Sequence, residues 1–320
     1  MNATDRTIAC IGGIDIDRKA RVEGELRLGT SNPVRVMASP GGVAGNVARS
    51  LAQLGCRVEL FSIVGDDAAG ENLLRELKNA GVNASAVSRS VYHPTANYTA
   101  VLDTKGELFL GLADMDIFEE LDPAWSDRVA PLIARSPIWI VDTNLPTSTL
   151  ERLLKRHKRN ATVIADPVSV AKSARLRSLL DAVDVIFPDR AEAAELSGLP
   201  VNARGDVVKA ASEIRRRGAK TVVVTLGSDG LYVDDGQGGR FMPAMPANVR
   251  DVTGAGDAIT AGYVYGMLAG GDYAPALYGL AAASLTVETD KSIAEELTPE
   301  QLRRRIEASL HPGRAHESLS

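Results

Sequence analysis

Covalent and metal-built scaffolding is scarce in this chain. Its 320 residues include two cysteines, Cys10 and Cys56, both in apolar strand-like stretches. That excludes a disulfide framework and reads as buried free thiols in a reducing compartment. The four histidines form no Cys/His cluster with zinc-ligand spacing. The net charge is -5, so a basic face for nucleic acid or anionic membrane is missing. Aromatic residues make up only 4%, and Trp125 and Trp139 sit among apolar neighbours, as packing residues rather than base-stacking platforms. No apolar run is long enough to cross a bilayer, and residues 1–7 are polar and lead straight into a strand, unlike a signal peptide. These absences predict a cytoplasmic protein without membrane or nucleic-acid partners. Internal repeats and low-complexity stretches are also missing.

What is there is a rhythm. Short apolar runs at 7–12, 57–64, 138–142, 162–166, 183–187 and 221–225 alternate with helical patterns at 45–54, 70–80, 148–158, 191–196 and 205–217. The alternation predicts an α/β fold, a mostly parallel central sheet flanked by helices on both faces, as a single domain over 1–320. Two stretches, 15–37 and 91–112, alternate without helical period and read as inserted β-hairpin material. They are expected to pair into a small sheet that serves as a lid over the strand ends. Ligands of open parallel sheets bind at the carboxyl ends of the strands, and Asp142, Asp166 and Asp189 close or follow three of the runs.

The most informative stretch is Asp251-Val252-Thr253-Gly254-Ala255-Gly256-Asp257, which runs directly into an apolar helix. Amides of Gly254, Ala255 and Gly256 at a helix start favour an anion, and Asp257 stands at the same point. A phosphate that meets a base is what phosphoryl transfer to a hydroxyl requires. The glycine-rich Gly41-Gly42-Val43-Ala44-Gly45-Asn46 permits close backbone approach to a ligand, with Asn46 able to meet hydroxyls. It is not a phosphate loop of the Walker type, since no Lys-Ser/Thr follows. Asp15 and Asp17, past the first strand, suit a polyol or are solvated loop acids. The turn Thr225-Leu226-Gly227-Ser228-Asp229-Gly230 suits a nucleotide phosphate or a plain hairpin. Asp189 with Glu192 reads as a helix cap or as neighbours of a hydrated magnesium ion.

Singly these motifs leave both readings open; their order along one chain resembles the ribokinase-like carbohydrate kinases of the phosphofructokinase B type. Residues 41–55 resemble that family's first signature and 251–257 its second, and the likeness runs from about 7 to 297. Thr30-Ser31-Asn32-Pro33, Ala113-Asp114-Met115-Asp116-Ile117, Asp142-Thr143-Asn144-Leu145 and Asp166-Pro167-Val168-Ser169 are similar to its pseudouridine-kinase branch. The resemblance implies transfer of the γ-phosphoryl group of ATP to the 5′-hydroxyl of pseudouridine. Ribose, adenosine or a ketohexose as acceptor, or a non-catalytic ligand-binding relative, remain alternatives. It further implies that Asp257 is the general base and that the amides of Gly254, Ala255 and Gly256 form the anion hole. Asp17, Gly41, Gly42, Asn46 and Asn144 would bind substrate. Thr225, Gly227 and Gly230 would lie along ATP, with Asp189 and Glu192 beside Mg2+, which Glu192 would meet through water. Asp251 would border a monovalent cation such as K+, and a homodimer would form through the lid. Asn32, Thr95 and Tyr98 are candidates for contact with the base. Three positions depart from the family pattern: Asp15 and Asp189 stand where Asn is usual, and Val252 where Thr is usual.

Overall fold

Ile8 and Cys10 point to one side of the first strand, Ala9 and Ile11 to the other, and all four are sealed from solvent. A strand that is apolar on both faces belongs in the middle of a sheet covered by helices on both sides. The computed structural model, which describes residues 6–158, 160–270 and 273–311, has that architecture. Its strands are β1 (Thr7–Ile11), β2 (Asp15–Val22), β3 (Val34–Gly41), β4 (Arg57–Phe61), β5 (Ile63–Gly65), β6 (Ser88–Ser90), β7 (Asn97–Leu102), β8 (Leu108–Asp114), β9 (Ile138–Asp142), β10 (Thr162–Asp166), β11 (Val185–Ile186), β12 (Thr221–Thr225), β13 (Leu231–Asp234) and β14 (Arg240–Met242). The main helices are α1 (Val43–Gln53), α2 (Ala68–Asn79), α3 (Pro123–Ile133), α4 (Thr147–Glu151), α5 (Val170–Ser173), α6 (Arg190–Ser197), α7 (Arg204–Arg216), α8 (Ala255–Ala269), α9 (Pro275–Thr286) and α10 (Pro299–Leu310).

The large sheet has eight strands in the order β14-β13-β12-β11-β10-β9-β1-β4. The six from β12 to β4 are parallel, and β13 and β14 finish the edge as antiparallel ribbons. From β1 the chain first builds β4 on one side and later β9 on the other, so strand order reverses beside β1. A crevice opens outside the carboxyl ends of the strands at such a switch point. One apolar layer packs α1, α8 and α9 against Ile8, Ile140 and Ile164; the other packs α3, α6 and α7 against Ile11, Trp139 and Val141. Gly262 and Gly266 let α9 approach α8: a Cβ at either position would come within 3 Å of Tyr278.

A second, four-stranded sheet has the order β3-β2-β7-β8. β2 pairs antiparallel with β3, which sets Asp15 opposite Gly41, and parallel with β7. Both expected insertions therefore contribute to one sheet. Their strands run further than the expected bounds: β3 continues to Gly41, beside Asp15 and Asp17, and β8 to Asp114. The run at 57–64 is also two strands: the Ser62 hydroxyl donates to the Gly12 carbonyl at 2.5 Å, and the chain leaves for a separate pairing with β6. At 183–187 only Val185 and Ile186 are strand, and the 148–158 helix widens into a π-helical turn at Arg152–His157. Among the described residues, no helix is long and apolar enough to cross a membrane.

Candidate active site

Asp142 closes β9 at the switch point, and its carboxylate ties three elements together. Oδ2 accepts from Gly13 N at 2.8 Å and Ala44 N at 3.0 Å, and Oδ1 accepts from Asn144 N at 2.8 Å. The glycine after β1, the first turn of α1 and the loop after β9 are thus fixed to one side chain. Gly12 makes this possible, since a Cβ there would lie 2.2 Å from the Asp142 carboxyl carbon. Asp142 is therefore an organiser within the floor of the crevice. Burial pushes its pKa up, and the three amides oppose that shift.

Asn46 and Asp257, 211 positions apart, meet directly: Asn46 Nδ2 donates to Asp257 Oδ2 at 2.7 Å. Asn46 lies in the first turn of α1, which starts from Gly42 in a left-handed conformation (φ 82°) without a side-chain cap. Asp257 lies in the first turn of α8, which starts from Gly254 at φ 77°, also without a side-chain cap. Two helix N-termini converge on this pair; at α1 the amides of Ala44, Gly45 and Asn46 are already taken by Asp142, Gly13 and Gly42. The amide of Ala255 reaches back to Val252 O at 3.2 Å. Half-buried Asp257 has its pKa raised to about 7, chiefly by desolvation. The Asn46 hydrogen bond opposes the shift, as does Arg49, while Asp142 and Asp17 add to it. A carboxylate poised near neutrality is suited to taking a proton from an alcohol.

Arg49 escaped the sequence reading. It is buried beside this pair, donating to Pro40 O at 2.8 Å and to Asn46 Oδ1. Burial lowers its pKa to about 10, against the pull of Asp257 and Asp17. An arginine amid the small and apolar residues of α1, three positions after Asn46, was the available signal.

Asp15 and Asp17 stand on one face of β2 beside Gly41. A Cβ on Gly41 would lie 2.4 Å from both Asp15 Oδ1 and Asp17 Oδ2, so the two carboxylates share the space that this glycine leaves free. Asp15 is 6% exposed, and its Oδ1 has no hydrogen-bond partner. Burial, then Asp17 and Asp142, raise its pKa to about 8. Burial also raises Asp17, with Lys19 and Arg49 opposing. Asn144 completes this side; its Oδ1 accepts from Lys172 Nζ at 2.5 Å. Of the candidates for base contact, two have local hydrogen-bond partners. Thr95 Oγ1 accepts from Gly65 N and donates to Asp67, and Asn32 bonds the backbone of its own loop at Arg27 and Thr30. Tyr98 packs against Gly111 on the neighbouring strand.

On the other side of α8's N-terminus lies a cleft of about 490 Å³. Thr225, Gly227 and Gly230 form one wall; Val249, Ile259, Leu280 and Val287 are among the apolar side chains of the rest. The 225–230 turn is both the hairpin between β12 and β13 and part of this wall. Asp189 and Glu192 form a reciprocal capping box on α6: Asp189 Oδ1 accepts from Glu192 N at 2.7 Å, and Glu192 Oε2 accepts from Asp189 N at 2.8 Å. Burial raises Glu192 to about 7, and Asp166, close enough to feel its charge, is pushed well above the usual carboxylate range by burial and by Asp257. These acids have no cationic partner among the described residues and suit a hard hydrated cation, though no group of three ligands builds a dedicated metal cage there. Val168, just after Asp166, holds φ 64°, an unusual conformation for a β-branched residue, and donates its amide to Asp166 Oδ1 at 2.8 Å.

Asp251 departs from expectation. Its Oδ1 accepts from Thr253 N at 2.8 Å and Thr253 Oγ1 at 2.6 Å, and its Oδ2 is ion-paired with Lys19 of β2. Burial is outweighed by Lys19 and Thr253, so its pKa is lowered. With a lysine already on the carboxylate, the donor set does not fit a metal cation at Asp251.

A family model described as pfkB family carbohydrate kinase matches residues 5–299. The pseudouridine kinase of Escherichia coli (strain K12) is 33% identical to this chain over 257 residues, covering 80% of this chain and 82% of that protein. A pseudouridine kinase of Arabidopsis thaliana is 28% identical, covering 89% and 92%. Among solved structures, a carbohydrate kinase from Agrobacterium tumefaciens aligns with a TM-score of 0.81 at 30% identity, over 94% of this chain and 97% of that one. A ribokinase of Arabidopsis thaliana complexed with ribose and ATP shares the fold, with a TM-score of 0.81 at 23% identity over 96% and 99%.

Proposed function

This chain belongs to the pfkB family of carbohydrate kinases, and from that premise we propose that it phosphorylates the 5′-hydroxyl of pseudouridine with ATP. It is a phosphotransferase with an alcohol acceptor. The observation that carries the catalytic part is the Asn46–Asp257 contact, which joins the two glycine motifs at a carboxylate with a pKa of about 7. The acceptor's identity is supported by the two pseudouridine kinases among the relatives.

In this reading Asp257 takes the proton of the 5′-hydroxyl as the new O–P bond forms and the bond to ADP breaks. Free alkoxide is far too basic to form beforehand at neutral pH. The amides of Gly254, Ala255 and Gly256 meet the charge on the moving phosphoryl group. Asn46 orients Asp257 and, with Asp17, Gly41, Gly42 and Asn144, holds the nucleoside. ATP lies in the apolar cleft along Thr225, Gly227 and Gly230. Glu192, fixed by Asp189, and Asp166 would hold the water around Mg2+, which would neutralise phosphate charge when bound with the nucleotide. The second sheet acts as a lid that excludes water as a competing acceptor. A second copy would pair on its edge strands, where Val36 and Met37 of β3 and Phe109 and Leu110 of β8 are exposed.

The test is an acceptor panel read by ADP release, with the product's phosphate position fixed by NMR. Pseudouridine should exceed uridine, ribose, adenosine and fructose in kcat/KM by at least about tenfold, or ~1.4 kcal/mol. Preference for another acceptor would sink the pseudouridine assignment. Binding without any ADP release would sink the kinase assignment for this chain.

A further inference from the structure

Lys19 and Asp251 lie 232 positions apart, one on β2 and the other in the loop ahead of α8, yet their side chains form a closed polar circuit. Lys19 Nζ donates to Asp251 Oδ2 and, at 3.1 Å, to Thr253 Oγ1. Thr253 Oγ1 in turn donates to Asp251 Oδ1, which also accepts from Thr253 N. The circuit sits immediately before Gly254 at the start of α8. On its other flank the same loop is clamped by Arg250 N to Val287 O at 2.7 Å and by the close fit of Gly254 under Ser292 O. Both partners are about one-fifth exposed, so the pair is screened less than a surface ion pair. Lys19 is also the third member, after Asp15 and Asp17, of the row on one face of β2.

We propose that Lys19 is a positioning residue whose ammonium group supplies, from the second sheet, the fixed positive charge that a monovalent cation would otherwise bring to the loop ahead of α8. The inference rests on the kinase reading for its catalytic consequence, though not for its structural one. An ammonium ion carries the charge of potassium and adds directed N–H bonds to a carboxylate and a hydroxyl. Tethered to β2, it also links the strand that bears Asp15 and Asp17 to the amides that would meet the phosphoryl group. A nucleoside held on β2 and an ordered anion hole would then stabilise each other. The enzyme is thereby freed from dependence on potassium.

The experiment compares the full-length protein with Lys19→Met and Lys19→Arg in choline chloride and in potassium chloride. The first readout is amide hydrogen exchange of the segment 250–257 without any substrate. The natural protein and Lys19→Arg should show equal protection in both salts. Lys19→Met should lose roughly tenfold protection in choline and regain it in potassium. The second readout is turnover. Lys19→Met should lose about tenfold to a hundredfold in kcat in choline, with a smaller change in KM for ATP, and recover with potassium. A natural protein whose protection rises with potassium overturns the proposal. So does a Lys19→Met variant that matches it in both salts, or one that loses protection in choline and stays equally unprotected in potassium. If no acceptor is phosphorylated, the kinase reading fails separately, while the exchange measurement still decides the role of Lys19. Should Lys19→Met fail to fold, Lys19→Arg carries the test: protection in choline at least roughly tenfold below the natural protein overturns the proposal.

Discussion

Asp257 and Asp15 are two acids of one crevice with opposite demands. As the proposed base, Asp257 would have to give up its proton, and its raised pKa puts that step near neutrality. The free-enzyme kcat/KM is therefore expected to climb with pH and level off above about 7, and a flat profile from pH 5.5 to 8.5 would remove the assignment. Asp257→Asn should keep ADP binding by calorimetry while losing about 10² to 10⁴ in kcat. Asp15 instead holds a proton in the folded chain at a pH where the unfolded chain has released it. The stability that such a raised pKa contributes is complete below the unfolded value of about 3.9 and disappears as pH passes through about 8. Thermal melts of the ligand-free protein should accordingly fall from about pH 5 to about pH 8.5, and Asp15→Asn should flatten the fall. Melting temperatures that rise over that interval would contradict the protonated state.

The helix starts were the most legible elements. The spacing of Gly254, Gly256 and Asp257 announced α8's special N-terminus, and Gly41–Asn46 that of α1, because a glycine that must adopt positive φ is visible in sequence. Gly254→Ala should prove costly: the added Cβ would lie 1.8 Å from Ser292 O, in a conformation that already costs an L-residue roughly 1–2 kcal/mol. A lowered melting temperature and a kcat loss larger than the change in nucleoside affinity are expected, and unchanged kinetics would show the loop to be dispensable. Strands β9, β10 and β12 were equally legible as apolar runs. What the sequence did not disclose is where side chains go when their partners are far away. Thr95 is a candidate base contact in sequence, where nothing nearby shows that its hydroxyl donates to Asp67. Asp251 read as a metal neighbour because Lys19 lies 232 positions away, on β2 of the smaller sheet.

At the scale of the molecule, the large sheet was predictable and the joining of both insertions into one smaller sheet was expected, though their exact reach into the crevice was not. That smaller sheet leaves Phe109 52% and Leu110 48% exposed on an edge strand, more apolar surface than an isolated edge usually shows. Sedimentation should find a dimer, and Phe109→Lys should shift it toward monomer; a natural protein that stays monomeric at high concentration would remove the dimer from the reading. The crevice itself collects Asp15, Asp17, Asp142, Asp166, Glu192 and Asp257 from across the chain, against few fixed cations. Burial and neighbouring acids raise the pKa of Asp15, Asp166, Glu192 and Asp257. If the proposed nucleoside and magnesium bind there, hydrogen ions held by these acids would pass into the surrounding medium. Heats of association should therefore shift with the ionisation enthalpy of whichever buffer is chosen.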